Sequence, residues 1–410
     1  MTSGRLLQNK RIVLGVSGGI AAYKAATVCS RLVQAGAVVE VVLTEAAQKF
    51  ISPLTFQALT HRPIYTDLWT IPQGENIPHI ALADAADLLL IAPATANTLG
   101  KIVHGLANNL LTAIALATPA PILLAPAMET DMWQHPATQA NVARLTSWGL
   151  TLIGPAEGRL ASGAVGRGRM VEPEEIVGMA QVVLARRGDL AGQKVVVTAG
   201  GTREAIDPVR FISNHSSGKM GYAIAEVARN RGAQVTLIST VSLPAPVGVA
   251  VIPVTSALEM QAAVLETCHQ AEVLIMAAAV ADFRPKSVAE QKIKKKDDTE
   301  GLTIELTRNP DILAEVAQQK AAGYGPRVTV GFAAETENLL RNAQSKLERK
   351  KLDLIVANDV TAPDAGFATD TNRVTLLSPD GRTTELPLMS KVEVAEAIFD
   401  AVGPLLVKAP

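Results

Sequence analysis

The chain has 410 residues, of which 48% are apolar, 19% charged and 3% aromatic, and its formal net charge is -1. This length exceeds one ordinary core and predicts two domains. The near-neutral balance excludes a global field for nucleic acid or an acidic membrane, and the few aromatics exclude a single-strand stacking platform, so any anion recognition is local and directed at small phosphorylated ligands.

The basic, apolar start "GRLLQNKRIVLGVSGGIAAYK" mimics a signal peptide, but its glycines, Tyr23 and Lys24 fit a strand, a turn and a helix better, so export is not expected. Apolar runs at 11–16, 38–43, 87–92, 121–125 and 150–154 alternate with helical patterns and predict a parallel sheet. The stretch 110–128 is uncharged and long enough to span a bilayer, yet Pro119, Pro121 and Pro126 interrupt it, which favours a buried helix followed by a buried strand. "ARRGDLAGQK", 185–194, combines charge and glycine after a helical stretch and sets the expected domains at 1–188 and 189–410. Runs at 194–199, 234–239, 249–254, 272–279, 328–333 and 352–357 then predict a second open sheet, and "SPDGRT" predicts a hairpin turn. The expected class is α/β, with two Rossmann-like open parallel-sheet domains. Cys29 and Cys268 are far apart and in no metal-type spacing, so neither a disulfide framework nor a zinc site is indicated, and a reducing cytoplasm is the natural setting.

Two stretches share one design. "IVLGVSGGIAAYKAA", 12–26, and "VVVTAGGTREAIDPVRFISNHSSGKMG", 195–221, each run from a buried strand into a double glycine and on to a helix. After Gly218, the residues Met220, Ala223, Ile224, Val227 and Ala228 fall on one helical face, Gly232 is a natural stop, and Ser216 and Ser217 are candidate caps. Free N–H groups and the positive dipole end at such a start favour a phosphate, and glycine lets it approach closely; the same physics applies at Ser17, Gly18 and Gly19. Neither stretch matches GxGxxG or GxxxxGK[ST], so the local pattern indicates an anion site without naming the nucleotide. An ordinary tight turn accounts equally well for one glycine pair, whereas two at two sheet starts favour ligands.

Taken in order, "GVSGGIAAYK", "PHIALADAADLLLIAPATANTLGK", "GLANNLL" and "PAMETDMW" resemble the flavin-dependent cysteine decarboxylase family. "TAGGTREAIDPVRFISNHSSGKMG", "AAAVADFRP", "KIKK", "NPDIL", "GFAAET" and "LDLIVAND" resemble the ligase half of the bifunctional phosphopantothenoylcysteine decarboxylase/phosphopantothenate-cysteine ligase family of coenzyme A biosynthesis. For the first half the resemblance implies flavin mononucleotide (FMN), with its phosphate at Ser17, Gly18 and Thr44, its ring near Thr95, Asn97 and Thr98, and His79 as the active-site histidine. For the second half it implies that cytidine triphosphate (CTP), with Mg2+, activates 4'-phosphopantothenate as an acyl cytidylate that the amine of cysteine then attacks. Activation is needed because a carboxylate resists amine attack and a mixed anhydride does not. Asn214 matches the catalytic asparagine and Lys292 the lysine that assists the first step. Met276, Ala277, Ala278, Asp282, Asn309, Pro310, Asp311, Ile312, Phe332, Lys346 and Lys350 match nucleotide contacts, the last two lying four apart on one predicted helix face. The resemblance also implies a homo-oligomer, with decarboxylase trimers joined by ligase dimers in an assembly up to a dodecamer, and no nucleic-acid or membrane partner.

Two departures carry weight. The family pattern PAMNxxMW becomes "PAMETDMW", placing Glu129 where an asparagine stands, and the cysteine of a flexible clamp becomes Ser162 in "RLASGAVGRGRM". An anion at 129 repels the carboxylate that must leave, and serine is a far weaker acid than a thiol with pKa of about 8.5. Together they predict a slow or stalled decarboxylase, with a flavin-bound scaffold beside an active ligase as the alternative. A nicotinamide dehydrogenase would explain the glycines but not "ISNHSSGKMG" or "KIKKK".

Overall fold

A computed structural model of the chain describes residues 4–69, 77–294, 302–335, 339–359 and 369–408. The five apolar runs of the first half become strands, joined by a short sixth at the edge that the run pattern did not mark. They are β1 (Arg11–Val16), β2 (Val38–Leu43), β3 (Ile64–Tyr65), β4 (Leu88–Ala94), β5 (Ile122–Pro126) and β6 (Thr151–Leu152), all parallel and ordered β3-β2-β1-β4-β5-β6. The run at 150–154 shortens to two residues. β4 is buried along its whole length, which is why it reads as a continuous apolar run without alternation. Its Leu88, Leu89, Leu90 and Ile91 are fully inaccessible, and burying each such side chain contributes about 1.5–3 kcal/mol.

Helices cover both faces of this sheet. On one, α1 (Ala22–Gln34) packs Ala25, Val28, Cys29 and Leu32 against Ile12, Leu14 and Val16. On the other lie α2 (Pro78–Ala85), α3 (Ala96–Val103) and α4 (Leu110–Ala117), whose Leu82, Leu99 and Leu111 meet Val13, Leu89 and Ile91. The uncharged stretch 110–128 is thus α4 followed by β5, as expected, and no described helix is long and apolar enough to cross a membrane. After β6 come an antiparallel hairpin, β7 (Ala156–Arg159) and β8 (Val165–Arg169), and a closing helix, Pro173–Ala185.

The chain divides into the units Met1–Ala185 and Arg186–Pro410. In the second, β9 (Lys194–Ala199), β10 (Gln234–Ser239), β11 (Val249–Pro253), β12 (Val273–Met276), β13 (Val328–Glu335) and β14 (Leu354–Asp359) run parallel. β15 (Val374–Leu377) and β16 (Thr383–Glu385) then add an antiparallel hairpin, giving the order β11-β10-β9-β12-β13-β14-β15-β16. Gly381, with φ 82°, makes the turn predicted at "SPDGRT". The expected strand 272–279 stops at Met276 because the chain leaves the sheet to form a bridge between Gly201 and Ala279. The expected strand at 352–357 starts later because the Leu352 N–H closes the preceding helix on the Leu347 carbonyl at 3.0 Å.

Both sheets therefore reverse their winding once, between β1 and β4 and between β9 and β12. In open α/β sheets such a reversal leaves a crevice beyond the carboxyl ends of the strands.

Candidate functional site

In the first unit a cavity of about 950 Å³ opens at the reversal point. Ser17, buried at the end of β1, donates from Oγ to the Pro93 carbonyl at 2.8 Å and accepts from the Thr95 N–H at 3.0 Å, tying the ends of β1 and β4 together. Thr44 follows β2 and returns its N–H to the Val16 carbonyl at 3.1 Å. A Cβ at Gly18 would stand 2.4 Å from the Ala46 Cβ and 2.7 Å from its backbone carbon, so only glycine lets these two turns lie together. No side chain caps α1, which leaves its start to a ligand. Thr95 caps α3, accepting from the Thr98 N–H at 3.4 Å, and the two hydroxyls lie 3.1 Å apart. Ser17, Gly18, Thr44, Thr95, Asn97 and Thr98 all line this one cavity.

Sequence reasoning missed its cations. Lys24, Lys101, Arg159 and Arg169 are in the wall beside Glu45 and Glu129, and Lys24 and Arg169 both pair with Glu172. Lys24 is 8% exposed and donates to Glu172 at 2.9 Å. That hydrogen bond holds the Glu172 carboxyl below its ordinary pKa. Arg159 and Arg169 arrive through the β7–β8 hairpin, far along the chain from the glycine turn, and no spacing could have signalled them.

Glu129 lines the cavity, whereas Ser162 and His79 are absent from its wall. The two departures from the family pattern meet in the structure. Ser162 Oγ donates to Glu129 Oε1 at 2.7 Å, so the carboxylate has a donor partner and the two departures are one contact. His79 lies on α2, and its Nδ1 is buried without a hydrogen-bond partner. Cys29 and Cys268 are both buried, burial pushes each thiol up to about 12, and neither reaches a cavity wall.

The second unit carries a cavity of about 520 Å³ at its own reversal point. Gly218 stands at φ 76° as the N-cap of α5 (Lys219–Asn230), and Ser216 and Ser217, which precede it, line the cavity. A Cβ at Gly218 would lie 2.5 Å from Val241 Cγ2. Asn214 donates from Nδ2 to the Val280 carbonyl at 3.3 Å, and Lys346 donates from Nζ to the Phe332 carbonyl at 2.6 Å. Asn214, Ala277, Ala278, Asp282, Phe332 and Lys346 are brought together here.

The other expected contacts lie outside this wall. Met276 is 5% exposed, its sulfur accepting from the Thr198 hydroxyl at 3.7 Å. Asn309 pins the neighbouring turn, donating to the Ala281 carbonyl at 2.8 Å, while Pro310 leads into the helix Ile312–Ala321 that Asp311 caps and whose Ile312 is buried. Lys350 falls just beyond the helix Leu339–Arg349 that holds Lys346, and pairs with Asp311. Burial lowers its pKa against the pull of Asp282. Lys292 and Lys294 are exposed, and the last two lysines of the run, Lys295 and Lys296, lie outside the described residues.

Asn358, Asn372 and Lys391, which had no predicted role, also line the wall. Asn358 is 8% exposed and its Oδ1 has no hydrogen-bond partner. Lys391 is buried, and that burial, reinforced by Lys219, lowers its pKa. Asn358 sits in the recognisable "LDLIVAND" segment, which was the available signal; Asn372 and Lys391 stand in no motif. Among the described residues no group of three His, Cys, Asp or Glu is placed to hold a metal ion.

Residues 1–184 match the family described as flavoprotein, and residues 190–405 match the family described as DNA/pantothenate metabolism flavoprotein C-terminal domain. The coenzyme A biosynthesis bifunctional protein CoaBC of Bacillus subtilis is 50% identical over 404 residues, covering 98% of each chain. Its namesake in Vibrio cholerae serotype O1 is 49% identical over 397 residues, covering 97% of this chain and 98% of that one. A crystal structure of the C-terminal domain of CoaBC is 42% identical, covers 53% of this chain and 97% of its own, and superposes with a TM-score of 0.45. On the strength of the full-length identities, the chain belongs to the family of bifunctional coenzyme A biosynthesis proteins.

Proposed function

We propose that the chain performs two consecutive steps of coenzyme A biosynthesis, ligating 4'-phosphopantothenate to cysteine in the second unit and decarboxylating the product to 4'-phosphopantetheine in the first. The observation that carries this reading is the pair of cavities at two sheet reversals, each with its own glycine cradle.

In the ligase cavity a carboxylate oxygen of phosphopantothenate attacks the α-phosphorus of CTP, and pyrophosphate leaves with the electron pair of the broken P–O bond. The cysteine amine then attacks the acyl carbon, loses a proton and displaces cytidine monophosphate. Asn214 donates an amide hydrogen to the charged intermediate, and Lys346 faces the phosphates as a point charge. Ala277 and Ala278 leave room for backbone approach. The roles of Lys292 and Lys350 rest on the resemblance alone, as does Mg2+, which would ride on the triphosphate.

The first cavity fits FMN in volume and in donor set. Gly18 opens the turn to a phosphate, Ser17 and Thr44 bring hydroxyls to it, Thr95, Asn97 and Thr98 border the ring, and Ile20, Met128 and Met132 add apolar wall. When bound, the flavin supplies reversible hydride chemistry. Lys101 and Arg159 offer positive charge to the anionic substrate, Lys24 and Arg169 being paired with Glu172, and Glu129, held by Ser162, is in the wall. The relatives are named bifunctional along the whole length of this chain, which does not favour the scaffold alternative. The proton-handling role of His79, which stands away from the cavity wall, rests on the resemblance, as do trimers of the first half joined by dimers of the second. A cytoplasmic setting agrees with two buried, unpaired thiols.

The test is incubation of the purified yellow protein with phosphopantothenate, cysteine and either CTP or ATP, following pyrophosphate release and product mass. CTP-dependent pyrophosphate release with loss of carbon dioxide from the product supports both steps. Product that accumulates as phosphopantothenoylcysteine overturns the decarboxylase reading, and no pyrophosphate overturns the ligase reading.

A further inference from the structure

The two positions at which the chain departs from its family pattern touch each other. Glu129 ends the segment after β5, and Ser162 lies 33 residues on, at the tip of the β7–β8 hairpin. The base of that hairpin is seated on the same segment by backbone: the Met128 N–H donates to the Gly168 carbonyl at 3.0 Å. A Cβ at Gly168 would come within 2.3 Å of the Met128 oxygen, and one at Gly166 within 2.5 Å of Thr130 Oγ1. The tip is a tight turn closed by the Leu160 N–H on the Ala164 carbonyl at 2.8 Å. Within it Ser162 Oγ accepts from the Ala164 N–H at 3.3 Å and gives its hydrogen to Glu129. Arg159, Leu160 and Ala161 of this hairpin form part of the flavin cavity wall.

The two side chains are complementary in a way that neither shares with the family residue at the other position. A carboxylate only accepts, and a hydroxyl supplies the donor it needs. Asparagine at 129 is one methylene shorter and does not reach Ser162, and a thiol at 162 is a weak donor with a larger atom. We propose that Glu129 is a positioning residue acting through Ser162, the pair forming a matched latch that holds the hairpin tip over the flavin cavity and replacing the family's asparagine and cysteine as a unit. This inference rests on the decarboxylase reading of the first half.

The experiment uses the full flavin-loaded chain and three variants: Glu129→Asn, Ser162→Cys and the double substitution. Arg159, Arg167 and Arg169 are exposed in the hairpin, so brief trypsin digestion followed by mass spectrometry reads its opening without reference to turnover. Flavin fluorescence reads cofactor release, and steady-state assays read KM and kcat for phosphopantothenoylcysteine. Each single substitution is expected to speed hairpin cleavage about tenfold, equivalent to about 1.4 kcal/mol, and to raise KM more than it lowers kcat. The double variant is expected to cleave about as fast as either single variant, because removing the second partner of a contact already lost costs little more. Glu129→Gln, which keeps an acceptor oxygen at the same reach, should cleave more slowly than Glu129→Asn. Ser162→Ala, at an exposed position, serves as a second probe of the latch if Glu129→Asn fails to fold. Single effects that multiply in the double variant, or hairpin cleavage unchanged by every single substitution, would overturn the latch. A colourless, non-decarboxylating parent would overturn the function assigned to this half, while the cleavage comparison would still decide whether the hairpin is latched.

Discussion

The two halves place a cavity at the same topological position and then furnish it differently. In both, the strand order reverses beside the first strand of the sheet, and a glycine turn leads from that strand towards the next helix. The first half adds hydroxyls from Ser17, Thr95 and Thr98 and a hairpin across the opening, around a volume of about 950 Å³. The second encloses about 520 Å³ and draws Lys346, Asn358, Asn372 and Lys391 from elements much later in the chain. The comparison separates two levels of cause: the winding of the sheet decides where a ligand binds, and the loops and late elements decide which one. A large, partly covered cavity suits a resident cofactor, and a smaller one lined by lysines and amides suits phosphorylated substrates that come and go.

The sharpest way to break the comparison is to fill one cradle at a time. In Gly18→Val the new side chain meets the Ala46 backbone; in Gly221→Val its Cβ lies 2.5 Å from the Ala199 Cβ and 2.8 Å from the Thr198 oxygen. Each should lower the activity of its own half by at least about 100-fold, the effect of misplacing a site by an ångström, and leave the other intact. Flavin absorbance and pyrophosphate release measure the two separately, and loss of both from one substitution would mean that the halves are not independent. Asn214→Ala should reduce ligation by about 10²–10³-fold, as removal of a donor to developing charge does, without slowing decarboxylation of supplied phosphopantothenoylcysteine. Lys346→Ala should raise KM for CTP about tenfold, the value of one charged hydrogen bond; an unchanged KM would remove this lysine from the nucleotide.

The smallest effect concerns the thiols, one in each half. Their folded pKa values are raised to about 12, so the stability this adds is fully present below the ordinary thiol pKa and is lost as pH rises from about 9 to about 12. Native protein should resist alkylation at pH 8 and unfold more readily in alkali. Replacing both cysteines with alanine should flatten that alkaline slope, as read by denaturant titration.

Much of this architecture is legible in the sequence because its causes are local. A doubly buried strand such as β4 must be apolar throughout, and a strand-to-helix turn pressed against its neighbour, as at Gly18, must lack a Cβ. Ser17 and Gly18 were reachable for that reason, whereas Thr44, Thr95, Asn97, Thr98 and the ligand came from the resemblance. What stayed hidden depends on contacts between distant segments. Ser162 meets Glu129 only because glycines seat the hairpin, so two substitutions that looked separately harmful are one interaction. Lys391 begins the helix Lys391–Lys408, where a basic residue reads as ordinary surface, and only the fold turns it into a cavity wall. Lys350 keeps its helical spacing from Lys346, its N–H donating to the Lys346 carbonyl at 2.9 Å, but its ammonium pairs with Asp311, a partner far back in the chain that no spacing indicates.

The edges of the two sheets have a consequence for synthesis. β3 and β6 have two residues each and β16 has three, and the longer β11 finishes on Pro253, which has no N–H to offer. A ribosome making this polypeptide releases one parallel sheet while the strands of another are still emerging, and a long bare margin would invite them to join it. Three margins this brief, and a fourth that stops on a proline, give little length to template a stray pairing, which disfavours strand swapping while two similar scaffolds mature in tandem.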